Sequence, residues 1–326
     1  IISLGCSKNL IDSEVMGGQA AASGMTLVES PDQADIIVIN TCGFILPAKE
    51  EALEAILTIA EEKKKSGRNL KLIVAGCLAQ RYGRELLAEI PEVDLVIGTG
   101  ETGRIVHHLR HLNTTGYRRS AVITKPDFLM NSRHDRILSA DTATAYLKIS
   151  DGCSNYCTYC AIPSIRGKAR SRQPDDILKE AQKLVGRGIR EIILIGQDTT
   201  AYGRDLKNRP KLSLLLSDLA SLPGVNWIRL LYTHPAHITA SVLEAVARHP
   251  KICRYIDLPV QHIDNTVLSA MNRRVSSERI REIINLARSI MPDVTLRTSL
   301  IVGFPGETSK RFERLLDFVQ EARFDH

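Results

Sequence analysis

The sequence predicts an α/β protein in two units, an open parallel sheet followed by a βα repeat of barrel type. Two patterns carry that reading. Short apolar runs at Ile1–Leu4, Asp35–Asn40, Leu70–Ala75 and Asp94–Ile97 alternate with segments of helical periodicity, the sequence form of a parallel sheet with crossover helices. The alternation resumes at Ala145–Ile149, Glu191–Ile195, Trp227–Tyr232, Tyr255–Leu258 and Thr295–Val302, again with helical patterns between the runs. A length of 326 residues gives each unit enough chain for its own core.

Helices of the first unit are expected over Asp12–Ser23, Pro47–Ser66, Ala79–Glu89 and Glu101–Leu112. Asp12 or Ser13 would cap the first, and Pro47 falls in the opening turn of the second, where a missing N–H is tolerated. These elements set a first domain over 1–112. Residues 113–143 carry Arg118, Arg119, Lys125, Arg133 and Arg136 with little periodicity beyond Ala121–Ile123. They read as an interdomain connection with one short strand and a solvated basic surface. Residues 144–326 form the second domain.

Composition narrows the classes of function. Hydrophobic residues make up 44% and charged residues 25%, as in an ordinary globular protein, and no apolar run reaches the length of a membrane-spanning helix. No charged-then-apolar leader opens the chain, although Ile1 reads as mid-strand and the true start is expected to lie upstream. Seven cysteines in a long chain fit thiols kept reduced in the cytoplasm for metal ligation rather than a disulfide framework. A net charge of +6 permits an RNA-rich partner such as the ribosome without requiring one.

Chemistry concentrates in the cysteines. Cys153, Cys157 and Cys160 lie within eight residues, directly after the apolar run Ala145–Ile149. Structural zinc normally takes four ligands, and no fourth Cys or His follows at a matching interval: the next are Cys253 and His234. An iron-sulfur cluster with one iron left open by the protein is the better reading, against the alternatives of zinc or buried thiols. Cys6, Cys42 and Cys77 each follow a strand-like run, at intervals of 36 and 35 residues. In an open parallel sheet the carboxyl ends of the strands share one edge, where such folds bind ligands. A second three-cysteine site is expected there, the alternative being three separate core thiols. Cys253 reads as a core thiol, and His107, His108 and His111 as an ordinary helix face.

The Cys153-x3-Cys157-x2-Cys160 spacing, with Tyr159 beside the last cysteine, resembles the signature of the radical S-adenosylmethionine (SAM) enzymes. The resemblance implies a 4Fe-4S cluster whose fourth iron is chelated by SAM, and a partial (β/α)6 barrel. The chain stops at Phe324–His326, where the sixth strand of that barrel would begin. Ser3-Leu4-Gly5-Cys6-Ser7-Lys8-Asn9-Leu10, Asn40-Thr41-Cys42-Gly43-Phe44-Ile45 and Ala75-Gly76-Cys77-Leu78-Ala79-Gln80 look like the three cysteine motifs of the methylthiotransferase family. That family implies a flavodoxin/Rossmann-like first domain holding a second 4Fe-4S cluster on Cys6, Cys42 and Cys77. It also implies a small C-terminal β-rich TRAM domain, which is expected to fall outside these 326 residues.

Gln197-Asp198-Thr199-Thr200-Ala201-Tyr202-Gly203 and Tyr159-Cys160-Ala161-Ile162-Pro163-Ser164-Ile165-Arg166-Gly167 resemble the RimO branch of the family. Its members modify the β-carbon of an aspartate in the twelfth small-subunit ribosomal protein. The tRNA-modifying MiaB branch is the alternative, and a zinc-stabilised RNA-binding module or a two-cluster electron carrier stands outside the class. The resemblance implies that one cluster cleaves SAM and the other delivers a methylthio sulfur, with an electron donor such as flavodoxin. Tyr159, Gln197, Arg297 and Gly306 are the expected SAM contacts, the last in the Gly303–Glu307 turn. His234 and His262, at strand ends, are candidates for lining the cavity. Arg166, Lys168, Arg170 and Arg172, spaced by two, would share one face of an extended segment, either as a carboxylate or phosphate site or as a solvated edge.

Overall fold

The computed structural model describes residues 1–112, 114, 116–138 and 143–326; residues 113, 115 and 139–142 of the expected connection lie outside them. The chain divides into two compact units, Ile1–Asp141 with Ala161–Lys168, and Thr142–Cys160 with Ala169–His326.

The first unit is built on five parallel strands, β1 (Ile2–Ser3), β2 (Ile36–Thr41), β3 (Lys71–Gly76), β4 (Leu95–Ile97) and β5 (Ser120–Val122), adjacent in the sheet in the order of the sequence. Successive strand residues point to opposite faces, so each β-branched run supplies two cores. Ile37, Ile39, Leu72, Val74 and Val96 cluster with Ile56 and Ile59 of α2 (Leu46–Ser66) and Leu78 and Leu86 of α3 (Cys77–Glu89). The alternate residues Val38, Ile73, Ala75, Leu95 and Ile97 cluster with Met16 and Ala20 of α1 (Ser7–Ala22) and with Ile105 and Leu109 of α4 (Ile105–Leu112). Each such aliphatic side chain contributes roughly 1.5–3 kcal/mol on burial. α5 (Ile162–Arg166) belongs to this unit and is tied to it where the Thr99 hydroxyl donates to the Ile165 carbonyl at 2.7 Å.

Several expectations change here. α1 starts at Ser7, not Asp12, and its cap is Cys6 in extended conformation. Gly5, at φ +87°, turns the chain out of β1 so sharply that the helix begins two residues later, leaving Asp12 and Ser13 inside it. Glu101 to Arg104 belong to a 3-10 segment, Thr99–Arg104, that precedes α4. The short strand of the expected connection is β5, the fifth member of the first sheet, paired in parallel with β4. Its basic residues are not all solvated: Arg119 donates to the carbonyls of Val93, Leu87 and Ile90, and Arg136, 6% exposed, pairs with Glu14 at 2.5 Å. His108 leaves the expected helix face, buried against Glu101 at 2.8 Å.

The second unit opens with β6 (Thr144–Lys148), followed by an antiparallel pair of two-residue strands, β7 (Ser150–Asp151) and β8 (Arg170–Ser171). β6 pairs in parallel with β9 (Glu191–Ile195), which pairs with β10 (Trp227–Leu230). A single bridge, Ile228 to Ile252, leads to the parallel pair β11 (Tyr255–Asp257) and β12 (Thr295–Arg297). Between strands run α6 (Pro174–Gly186), α7 (Leu212–Ala220), α8 (Ala240–Arg248), α9 (Asn265–Ala270) and α10 (Ser277–Ile290), with α11 (Ser309–Ala322) after β12. This is the parallel βα progression of a partial barrel. The last strand is shorter than the apolar run suggests: regular pairing ends at Arg297, the Val260 N–H goes to the Thr298 hydroxyl at 3.3 Å instead of a backbone carbonyl, and pairing returns only at Gln261 and Leu300. Asp325 and His326 also hydrogen-bond β12, through the backbone of Leu296 and Thr298.

The alternating basic run does not form one face. Arg166 is the last residue of α5, Gly167 turns at φ +74°, and Arg172 is 2% exposed. Arg172 donates to the Lys148 carbonyl at 2.8 Å, to Asp176 at 2.8 Å and to Glu180, joining the end of β6 to the start of α6. Both end members are buried ion-pair partners, so neither the solvated edge nor an exposed anion site describes them.

Candidate functional site

In the first unit, Cys6 follows β1, Cys42 follows β2 and Cys77 opens α3 directly after β3, so the three sit at the carboxyl ends of adjacent parallel strands. The register pairs Thr41 with Gly76, which puts the following residues, Cys42 and Cys77, side by side. Close approach of these loops depends on absent side chains. A Cβ on Gly5 would stand 2.5 Å from Cys42 Cβ, and one on Gly43 would stand 2.8 Å from the backbone of Leu78. Cys6 is the N-cap of α1 and Cys77 the first residue of α3, so two of the thiols lie at the positive ends of helices. Burial nevertheless pushes the Cys77 thiol up to about 11, opposed by the Arg166 guanidinium, and raises Cys42 for the same reason. Both also feel the charge of Cys6. A thiol in this setting keeps its proton until a metal displaces it.

In the second unit the loop Gly152–Cys160 follows β7 and is fastened along its length. Thr158 N donates to the Met271 carbonyl at 3.1 Å, Asn272 Nδ2 to the Tyr156 carbonyl at 2.9 Å, and Asn155 Nδ2 to Asp198 at 2.8 Å. Arg273 Nη1 lies 3.7 Å from Cys157 Sγ as a donor, and its Nη2 donates to the Pro259 carbonyl. Cys153 and Cys157 are buried and Cys160 half-buried. Desolvation pushes the Cys153 thiol up to about 12, and raises Tyr159, whose hydroxyl also interacts with Cys157.

Beside this loop lies a cavity of about 340 Å³ at the carboxyl ends of β9 and β10, lined in part by Cys153, Asn155, Asp198, Arg204, His234 and Arg273. His237, unremarked in the sequence, also lines it, as do Asn272 and Arg274 beyond α9. An H-P-A-H spacing after a strand was the available signal for His237. Of the described residues lining the cavity, His234 Nε2 and Arg273 Nε are buried without a hydrogen-bond partner. Unpaired buried polar atoms around one concavity are what a ligand satisfies. His234 accepts from Ala236 N at Nδ1 (3.2 Å), which leaves its proton on Nε2 as a donor.

Of the expected SAM contacts, none lines this cavity. Gln197 stands at the end of β9 and donates to Asp151 at 2.8 Å; Tyr159 packs by Cys157; Arg297 pairs with Asp257 at 2.6 Å; Gly306 sits in the turn after β12 at φ +88° with open space where a Cβ would be. His262 is turned to Glu307 at 3.0 Å rather than to the cavity.

Asp198, His234 and His237 bring three ligand atoms within 4.8 Å of one another, the spacing of a single ion. The hydrogen bonding argues for a positioning network instead. Asp198 Oδ1 accepts from Thr200 and Ala201, and Oδ2 from Asn155 and from His237 at 2.6 Å. Burial works against the Asp198 charge, but the His237 hydrogen bond and the neighbouring histidines hold its carboxyl below the usual range. Each cysteine triad offers three thiols, the ligand type of iron-sulfur clusters, where structural zinc would take a fourth ligand.

His234 gives a prediction. Burial, helped by the Arg273 charge, lowers it to about 3. Above about pH 6.5 the ring is neutral in both folded and unfolded chains. As pH falls through 6.5 toward 3 the unfolded chain takes a proton that the folded site refuses, so folding weakens by about 1.4 kcal/mol per pH unit for this one group. Urea unfolding between pH 5 and 7 is expected to show a shallower acid decline in His234→Gln; an identical slope would contradict the assignment.

The radical SAM superfamily model matches residues 147–319, and the model described as uncharacterized protein family UPF0004 matches residues 1–98. The ribosomal protein uS12 methylthiotransferase RimO of Syntrophus aciditrophicus is 54% identical over all of this chain and 72% of its own length. The chain belongs to the RimO family. A RimO from Heliobacterium modesticaldum is 48% identical, again over the whole chain and 70% of the relative. Among solved structures, the radical SAM methyltransferase TsrM of Kitasatospora setae matches with a TM-score of 0.69 over 98% of this chain and 69% of TsrM. At 14% identity that likeness is one of fold. RimO membership in the radical SAM superfamily brings SAM and a 4Fe-4S cluster as cofactors. It also favours the RimO branch over MiaB. No helix among the described residues is long and apolar enough to cross a membrane.

Proposed function

We propose that the chain methylthiolates the β-carbon of an aspartate in ribosomal protein uS12. Cys153, Cys157 and Cys160 hold the cluster that binds SAM, and Cys6, Cys42 and Cys77 hold a second one. The observation that carries the reading is two separate cysteine triads in a chain 54% identical to a uS12 methylthiotransferase, one triad in a fastened loop and one at three adjacent strand ends. When bound, the clusters and SAM supply reductive carbon–sulfur cleavage, hydrogen abstraction and the methylthio sulfur. The chain's own part is placement. Thr158, Asn272 and Asn155 anchor the Cys153–Cys160 loop before any ligand arrives, so the thiols need little reorganisation. Arg273 presents a cation to Cys157, countering the negative charge of a thiolate-ligated cluster. His234 stays neutral and offers an N–H to the cavity, while Asp198 keeps His237 and Asn155 in register. Arg204 and Arg274 make the cavity wall receptive to a carboxylate, a group that both SAM and an aspartyl substrate carry. The electron comes from outside the chain, and we assign it to a flavodoxin-type donor.

The deciding experiment is mass spectrometry of uS12 and of tRNA after anaerobic reaction with the reconstituted full-length enzyme. The expected outcome is a methylthio adduct on the aspartate of uS12 and none on tRNA; modified tRNA with unmodified uS12 would transfer the chain's function to the other branch.

A further inference from the structure

The cysteine loops of the first unit converge on one buried side chain, Asn9, which is 0% exposed. Its Nδ2 donates to the carbonyls of Leu4 at 3.1 Å and Thr41 at 2.8 Å, immediately ahead of Gly5–Cys6 and of Cys42. Cys77 Sγ lies 3.4 Å from its Oδ1. One amide therefore touches all three loops. That Oδ1 also accepts from Arg166 Nη2 at 2.6 Å, and the guanidinium, 3% exposed, pairs with Asp12 at 2.8 Å. Asn40 Nδ2 locks the arrangement from below by donating to the Asn9 carbonyl at 2.8 Å.

We propose that Asn9 and Arg166 are positioning residues for the second cluster: Asn9 sets the spacing of the Cys6, Cys42 and Cys77 thiolates, and Arg166 fixes a buried positive charge that raises the cluster's reduction potential. The proposal rests on the reading that those cysteines hold a cluster. An amide that binds backbone oxygens of two loops and faces the sulfur of the third holds their separation in a way no single backbone ladder does. Reduction adds a negative charge to a cluster already carrying thiolates, and a cation buried close by favours that state, since little water screens it. Asp12, ion-paired with the Arg166 guanidinium at 2.8 Å, brings a charge of the opposite sign to the same place. Arg166 and Asp12 should therefore shift the potential with opposite signs.

The test uses full-length protein in which Cys153, Cys157 and Cys160 are all alanine, so that iron reports on the second site alone. Iron analysis and redox titration followed by electron paramagnetic resonance are the readouts. Asn9→Ala is expected to lower iron content about ten-fold or more. Arg166→Gln is expected to retain iron while the reduced-to-oxidised ratio at fixed potential falls about ten-fold, or 59 mV for one electron. Arg166→Lys should recover most of that shift, and Asp12→Asn should move the potential upward. Where Arg166→Gln itself loses iron, Arg166→Lys and Asp12→Asn carry the comparison. Full iron in Asn9→Ala, or potentials that do not move or move the same way in the Arg166 and Asp12 variants, would overturn the proposal. A parent protein that melts like wild type yet takes up no iron would overturn the two-cluster reading first, and this proposal with it.

Discussion

Cys157→Ala is expected to strip the radical SAM cluster and to reduce SAM cleavage more than ~100-fold, since even residues behind a ligand commonly cost 10–100-fold. The thiol is buried, and Arg273 donates to it at 3.7 Å. Alanine removes the ligand and leaves that guanidinium beside an apolar gap. Two remaining thiolates cannot hold three corners of a cubane, so iron should fall from about eight to about four per full-length chain if both triads are filled. Anaerobic iron and sulfide analysis together with quantification of SAM cleavage products checks both numbers. Cleavage at the normal rate in this variant would remove Cys157 from the site.

Arg172→Met is expected to destabilise the second unit strongly, by about 3–5 kcal/mol, because it removes the buried guanidinium that Glu180, Asp176 and the Lys148 carbonyl share. Glu180 is 4% exposed, and Arg172 also bonds Asp176 and the carbonyl that ends β6. For a domain of this size the loss corresponds to a fall in Tm of roughly 6–20 °C. Thermal unfolding of the single variant and of Arg172→Met/Glu180→Leu separates the causes. The double variant should recover much of the loss, since it removes the buried carboxylate together with its cation; a single variant within 1 kcal/mol of the parent would show that the pair is not the staple described here.

Much of the site was legible in sequence because it follows from chain order. A cysteine that follows an apolar run sits at a strand end in any parallel sheet, so the placement of Cys6, Cys42 and Cys77 needed only strand recognition. Side-chain direction was not legible. The spacing of Arg166 to Arg172 suggested an extended face, yet Gly167 breaks it and the two end residues turn to buried carboxylates in different units. Asp12 looked like a helix cap, but Gly5 moves the helix start forward, and Asp12 becomes the partner of Arg166, 154 residues away. Asn9 was read only as a motif letter. Its three loop contacts depend on pairings between β1, β2 and β3 that no local pattern encodes. His237 and Arg273 line the cavity through elements that meet only after the second unit closes.

The two triads also differ in when they can exist during synthesis. Cys153, Cys157 and Cys160 share one short loop, so closing that site is a local event with a small entropy cost. Cys6, Cys42 and Cys77 become neighbours only through the parallel ladders that join β1 to β2 and β2 to β3, each requiring a long crossover to be ordered first. Iron offered to a nascent chain therefore meets a competent local loop and, at the other site, scattered thiols. On the two-cluster reading, the strand-end site can be loaded only after its sheet has folded, and chains whose first unit is slow to fold would carry the loop cluster alone.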